Sequence, residues 1–250
     1  MKKILILIIT IFVYSLATNA QSKTNLAGIV VYKFSPNVVS KKNNSEKNEF
    51  EKLQDRFIKE SKTITFNLKF KQNVSFFYVE NTLENDDTPL GLHFARSLVV
   101  KGNYHTDLKK KQVIRDYKGL GESFLVSSKT MLSSDWKLSK ESKMIGKYKC
   151  FKATTSRTYK AALGHQVTYE VVAWYAPQIP VRFGLKEYNG LPGLILELKD
   201  QRYTFYASKI SFVNENEIVI KPIKGKAITE EEYLKQVEKS SGFLMLDKKN

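Results

Sequence analysis

The sequence predicts an α+β fold that is mainly antiparallel β, a curved sheet or half-barrel carrying two or so amphipathic helices. Three observations lead there. Ile64, Phe66, Leu68 and Phe70 alternate with Thr65, Asn67 and Lys69, the period-two pattern of a strand with one buried face. Turn residues recur between short runs of β-branched and aromatic residues along most of the chain. Two stretches break that rhythm. Phe50, Leu53 and Phe57 fall at i, i+3 and i+7, and Thr229-Glu230-Glu231-Glu232 spells a capping box. The expected helices run from Ser45 to about Lys59 and from Thr229 to about Lys239.

Taken in order, the chain opens Met1-Lys2-Lys3, continues without charge through Leu16, and reaches small residues at Ala17, Thr18 and Ala20. A basic start, a short apolar core and a small-residue site predict a signal peptide over residues 1–20, cut after Ala20. Residues 21–250 then read as one exported domain, periplasmic or associated with the outer membrane. Asn25 to Phe34 is the first strand, stopped by Pro36-Asn37. Val74 to Val79 returns against Ile64–Phe70 across Lys71-Gln72-Asn73. Asn81 to Pro89 is an acidic loop, whose Asp86-Asp87 pair lacks the ligand spacing of a calcium loop. Short strands follow at Ser97–Lys101, Val113–Tyr117 and Ser123–Val126, with Lys109-Lys110-Lys111 as a charged hairpin tip. Trp136 and Leu138 alternate on a further strand, and Gly146 turns the chain into Lys147–Tyr159. Thr168 to Ala176 is apolar on both faces and so predicts a central strand. Tyr203, Phe205 and Ala207 pair back on Leu194–Lys199 across Asp200-Gln201. A polar turn at Asn214-Glu215-Asn216 leads to Ile218, Val219 and Ile220.

Charge and cysteine usage narrow the function classes. The formal net charge is +16, from 41 basic and 25 acidic residues. Such a chain meets anionic membrane surfaces or acidic partners readily. Its basic residues are mostly lysine, which argues against bidentate phosphate reading, and no nucleic acid is expected as a partner. Cys150 is the only cysteine, so no intramolecular disulfide forms, and its strand context predicts a buried structural thiol.

The most constrained stretch is Tyr188 to Leu198. Pro192 fixes φ and Gly193 tolerates a positive φ, which suits a type II turn, and Asn189-Gly190 is a second turn signal. The strand that follows places Leu194, Leu196 and Leu198 on one face, with Ile195 and Glu197 on the other. The turn either feeds a buried strand or forms the lip of a binding site built from Leu191, Leu194 and Ile195. Gly190-Leu191-Pro192-Gly193-Leu194-Ile195 resembles the signature of the GLPGLI family, exported proteins of Bacteroidota. Trp136-Lys137-Leu138, Ile145 to Ala153, Trp174 to Pro180 and Ile228-Thr229-Glu230-Glu231 are similar to that family's recurrent blocks, in its order. Leu185-Lys186-Glu187 departs from the pattern where members commonly carry proline. The resemblance implies a family and a compartment, and no catalytic residue.

Familiar catalytic patterns are absent. There is no Gly-x-Ser-x-Gly elbow, no His-Glu-x-x-His and no phosphate-binding loop. His93, His105 and His165 are far apart in sequence, and neither a metal nor a cofactor is expected. Glu170 and Glu197 are the acids in strand contexts. The expectation is a non-enzymatic envelope protein that binds a hydrophobic ligand or peptide on a concave sheet, in a half-barrel resembling bacterial lipoprotein carriers. Phe66, Phe76, Tyr78, Trp136 and Trp174 are its candidate lining. Two alternatives stand beside it: an interaction module docking an envelope partner through Leu191, Pro192, Gly193, Leu194 and Ile195, and a peptide or glycan hydrolase.

Overall fold

The computed structural model describes residues 26–37, 64–79, 102–119, 122–132, 135–160 and 165–236, with single positions at 52, 59 and 99. Among the described residues twelve strands form one sheet: β1 (Ala27–Pro36), β2 (Phe66–Lys71), β3 (Val74–Val79), β4 (Asn103–Asp107), β5 (Gln112–Gly119), β6 (Glu122–Lys129), β7 (Lys137–Ile145), β8 (Tyr148–Lys160), β9 (Gln166–Ala176), β10 (Leu194–Lys199), β11 (Tyr203–Val213) and β12 (Lys226–Thr229). Their spatial order is β12-β6-β5-β4-β3-β2-β1-β11-β10-β9-β8-β7. The sheet is thus two meanders joined along β1 and β11, with β12 returning to the far edge. All pairings are antiparallel except β12 on β6, which is parallel.

This corrects the expected α+β half-barrel with two helices. The chain is mostly β, its sheet is mixed and not closed, and the described residues hold one continuous α-helical stretch, over 230–236, beside isolated helical positions at 52, 59 and 99. The long β9–β10 connection covers part of the sheet. Ile179, Val181, Phe183, Leu185, Tyr188 and Leu191 in that connection are all buried in the main core. The expected helix from Ser45 to Lys59 lies outside the described residues apart from Lys52 and Lys59, both helical, and so do the leader with its cleavage site and the loop at Asn81–Pro89. In the expected strand Ser97–Lys101 the described position, Val99, is helical.

Period-two patterning puts one face of the sheet into the core. Val30, Tyr32 and Phe34 of β1, Phe66, Leu68 and Phe70 of β2, Phe77 of β3 and Phe205 of β11 point to this inner face and are almost fully buried. Their rings meet mostly edge to face, as for Phe66 against Phe205 at 5.6 Å, a geometry worth about 1 kcal/mol per pair beyond the area it buries. The β9–β10 connection seals this face by pairing with itself: Gly190 N–H donates to Arg182 O (2.9 Å) and Leu194 N–H to Ile179 O (3.0 Å).

The far end has its own small core of Phe124, Val126, Ile228 and Tyr233. Arg115, buried on the inner face, donates to both oxygens of Glu230 at 3.0 and 3.1 Å and lies 4.9 Å from the Tyr233 ring. Thr229 caps the helix as the sequence predicts, with Glu232 N–H donating to Thr229 Oγ1 (3.2 Å) and Thr229 N–H to Glu232 Oε2 (2.7 Å).

Candidate binding groove

The outer face of β2–β5 carries a different set of side chains. Lys69 and Phe76 are cross-strand partners, Phe76 pairs next with His105, and Asp116 lies opposite Asn103. The Phe76 ring stacks on Tyr78 (4.7 Å between centroids, 13° between planes) and on His105 (4.3 Å, 30°). Lys69 Nζ reaches over the Tyr78 ring at 5.3 Å. Because the rings stand face against face, they present their edges outward. The edge is the positive rim of the aromatic quadrupole and suits acceptor groups.

Asp116 is fixed by Asn103, whose side-chain amide donates to Oδ1 at 3.0 Å. His105 Nε2 stands 3.7 Å from Asp116 Oδ2, too far for a hydrogen bond, and has no hydrogen-bond partner among the described residues. Burial works to raise the Asp116 pKa. The neighbouring His105 and the Asn103 donors outweigh it and hold the carboxyl below its ordinary range.

Residues 214–225 cross this face between β11 and β12. The crossing starts with a 3-10 turn at Glu215–Glu217, tied to the β2–β3 turn by the Gln72 amide donating to Glu215. It anchors Ile218, which is 1 % exposed, and then leaves Val219 62 % exposed. Between this strap and the sheet lies a groove of about 450 Å³, lined by Lys69, Phe76, Tyr78, His105 and Asp116 below and by Val219, Lys221, Pro222, Ile223 and Lys224 above.

The sequence-predicted site residues distribute differently. Leu191, Leu194 and Ile195 are 0 % exposed, and Gly193 is buried; of the turn, only Pro192 faces solvent. The type II turn is corrected. Gly193 does not take a positive φ; Gly190 does, at 90°. Gly193 is required by close approach, since a Cβ there would stand 2.4 Å from Ala176 O. The strand's facing also changes. A bulge between Ile195 and Glu197 leaves Leu196 as the extra residue. Ile195 opposite Tyr175 and Leu198 opposite Ala173 therefore share the inner face, while Glu197 lies beside Trp174 on the outer one. Tyr32 Oη donates to Ile195 O at 2.7 Å, satisfying a carbonyl at the bulge.

Trp136 and Trp174 are not brought together. Trp136 is buried, with Nε1 donating to Asn189 O (3.0 Å). Trp174 lies on the outer face under Lys143 Nζ (4.4 Å), which also pairs with Glu197 (2.7 Å). Of the five aromatics expected to line one concave face, Phe66 and Trp136 are core, and Phe76 and Tyr78 meet in the groove. Glu170 is exposed. Cys150 is buried, and burial pushes its thiol up to about 11.

His105, Asp116 and the strap lysines were missed by sequence reasoning. Gly102-Asn103 and Asp107–Lys111 read as the separators on either side of this polar stretch, although Asn103–Asp107 is β4. The signal available was its alternation, with Tyr104 and Thr106 buried and Asn103, His105 and Asp107 partly exposed.

A family model described as "Protein of unknown function (Porph_ging)" matches residues 162–197, a stretch that contains the Gly190–Ile195 motif. No curated protein matches the chain. Two solved structures of PNGF-II are similar to it in fold. The C2 crystal form aligns with a TM-score of 0.53 and 14% identity over 86% of this chain and 33% of that one. The P21 form gives 0.50 and 14% over 86% and 34%. The chain thus spans about a third of the PNGF-II chains it resembles, and at this identity the likeness concerns the fold alone.

Proposed function

We propose that this is a non-enzymatic binding protein of the cell envelope that takes a hydrophobic ligand or peptide segment in the strapped outer groove. The observation that carries the reading is the groove's mixed lining, where stacked aromatic rings and the apolar residues of the strap adjoin polar groups that can fix a ligand's orientation. The concave face expected to hold the ligand is filled by Phe66, Phe70, Phe77, Phe183 and Phe205, which moves the reading to the opposite face. Docking through the Leu191–Ile195 turn is less favoured because its apolar side chains are spent on the core. Export, and membership of the GLPGLI family, belong to this proposal. They rest on the basic and apolar start of the chain and on the motif itself.

Native mass spectrometry of the protein purified gently from the cells that produce it tests the reading. The expected result is a reproducible adduct that a Phe76→Ala, Tyr78→Ala double variant loses while keeping the wild-type circular dichroism. A bare wild-type mass, or an adduct that survives the double substitution, overturns it.

A further inference from the structure

Resting on that groove as the binding site, we infer that its ligand is a single-chain anionic amphiphile: one unbranched apolar tail ending in a carboxylate or phosphate. Three observations converge on this. The first is charge left unneutralised. Lys143, Lys152 and Lys186 all sit in ion pairs with carboxylates at 2.7–3.3 Å. Lys69, Lys221 and Lys224 line the groove and have no carboxylate partner among the described residues. The one acid in the lining, Asp116, is already engaged by Asn103, and the His105 Nε2 beside it has no hydrogen-bond partner. The groove therefore offers cationic and donor groups in excess, which is how a site selects an anion.

The second observation is the apolar content. Val219 exposes 62 % of its surface above the aromatic edges of Phe76 and Tyr78, with Pro222 and Ile223 farther along the strap. An inorganic anion would leave that surface wet, and covering it needs a hydrocarbon tail.

The third is the strap's reach. Thirteen chain steps join Val213 to Lys226, and the strands they connect lie seven places apart in the sheet. Seven strand spacings span about 34 Å. Ten extended steps and three in the 3-10 turn reach about 40 Å. Laid along a flat sheet the strap would have only about 6 Å of slack. It is held at both ends, by the β11 ladder and by β12 on β6. A segment so tethered cannot swing away like a lid, so a ligand must fit the space beneath it as it stands, which suits a single slender chain.

The test compares ligands that share one tail. Dodecanoate, dodecyl phosphate and dodecanol are titrated calorimetrically into wild type and into a Lys221→Glu, Lys224→Glu variant, with inorganic phosphate as the head without a tail. Both substituted lysines are exposed on the strap, so the fold should survive. At least one anionic amphiphile should bind ten-fold or more tightly than dodecanol, and the anion that does so identifies the head group. The charge-reversed variant should lose that advantage, and inorganic phosphate alone should bind at least 100-fold more weakly. Equal affinity for anion and alcohol, or an advantage that survives charge reversal, overturns this inference while leaving a binding groove in place. If wild-type protein also carries no adduct from cells and binds none of the probes, the groove itself is refuted as a binding site.

Discussion

Replacing Gly193 by alanine should cost far more than its single methyl suggests. The added Cβ would stand 2.4 Å from Ala176 O, 2.6 Å from Ala176 C and 2.8 Å from Pro177 N, where ordinary contact begins near 3.4 Å. Relief therefore needs a shift of about 1 Å between two backbones, and neither is free to move. Leu194 is paired with Ala176 in the sheet, and Ile179 N–H donates to Ala176 O at 3.1 Å. No flexible side chain can absorb the displacement, so the cost belongs at the upper end for overpacking, about 3 kcal/mol. With a urea m-value of about 3 kcal/mol/M for a chain of this size, the denaturation midpoint should fall by about 1 M. Pro192→Ala, one residue earlier and exposed, is the control and should cost no more than about 1 kcal/mol. A Gly193→Ala midpoint within roughly 0.3 M of wild type would refute the close-approach argument.

Leu191→Asp should abolish folding rather than a surface function, because it puts a carboxylate at a fully buried position at a cost of about 4 kcal/mol or more. A soluble variant with wild-type circular dichroism would return the turn to the surface. Cys150 should resist alkylation in the native protein. Burial raises its thiol to about 11, so at pH 8 the thiolate is about 100-fold scarcer than for an ordinary cysteine, and a rate matching the urea-unfolded chain would contradict this. Asp116 should contribute to acid sensitivity. Its folded pKa is held low, so the stability it supplies is present above the unfolded value and is lost as pH falls through the folded one. Urea midpoints from pH 6 to 3 should therefore fall less steeply for Asp116→Asn than for wild type, and parallel profiles would exclude the effect.

What the sequence disclosed depended on whether burial left a pattern. Phe66, Leu68 and Phe70 alternate because one face of β2 meets the core, and that strand was readable directly. The Thr229 cap was readable because its two hydrogen bonds need particular side chains three residues apart. β4 and most of β7 were not. Both are largely polar and are strands because neighbouring ladders offer them hydrogen bonds, a cause that lies elsewhere in the chain. The bulge at Leu196 exchanged the facing of Leu194 and Ile195 relative to Leu198, which no periodicity could reveal. The groove was hidden for a related reason. Its floor comes from four strands and its roof from a segment that begins at Val219, 103 residues after Asp116, the last residue of the floor, so proximity in space had no counterpart in sequence.

The seam between β1 and β11 has a kinetic consequence. Within each meander, neighbours in space are mostly neighbours in sequence, so each half can begin to form without waiting for the other. β1 stands at the middle of the finished sheet, yet one of its two partners is made 167 to 186 residues later, as the contacts Tyr203 with Pro36 and Val213 with Ala27 are only reached when β11 exists. Phe34 and Tyr32 must meet Phe205 and Ala207 to close the core, and pairing across so long a sequence separation should make the joining of the two halves the slow step of folding. Until it happens, the inner edge of each half is an open template for another chain's strand. A molecule built this way gains from being kept apart from its own copies until its last strands have been synthesised, and mutations along the seam should show first as aggregation during refolding and only later as a loss of equilibrium stability.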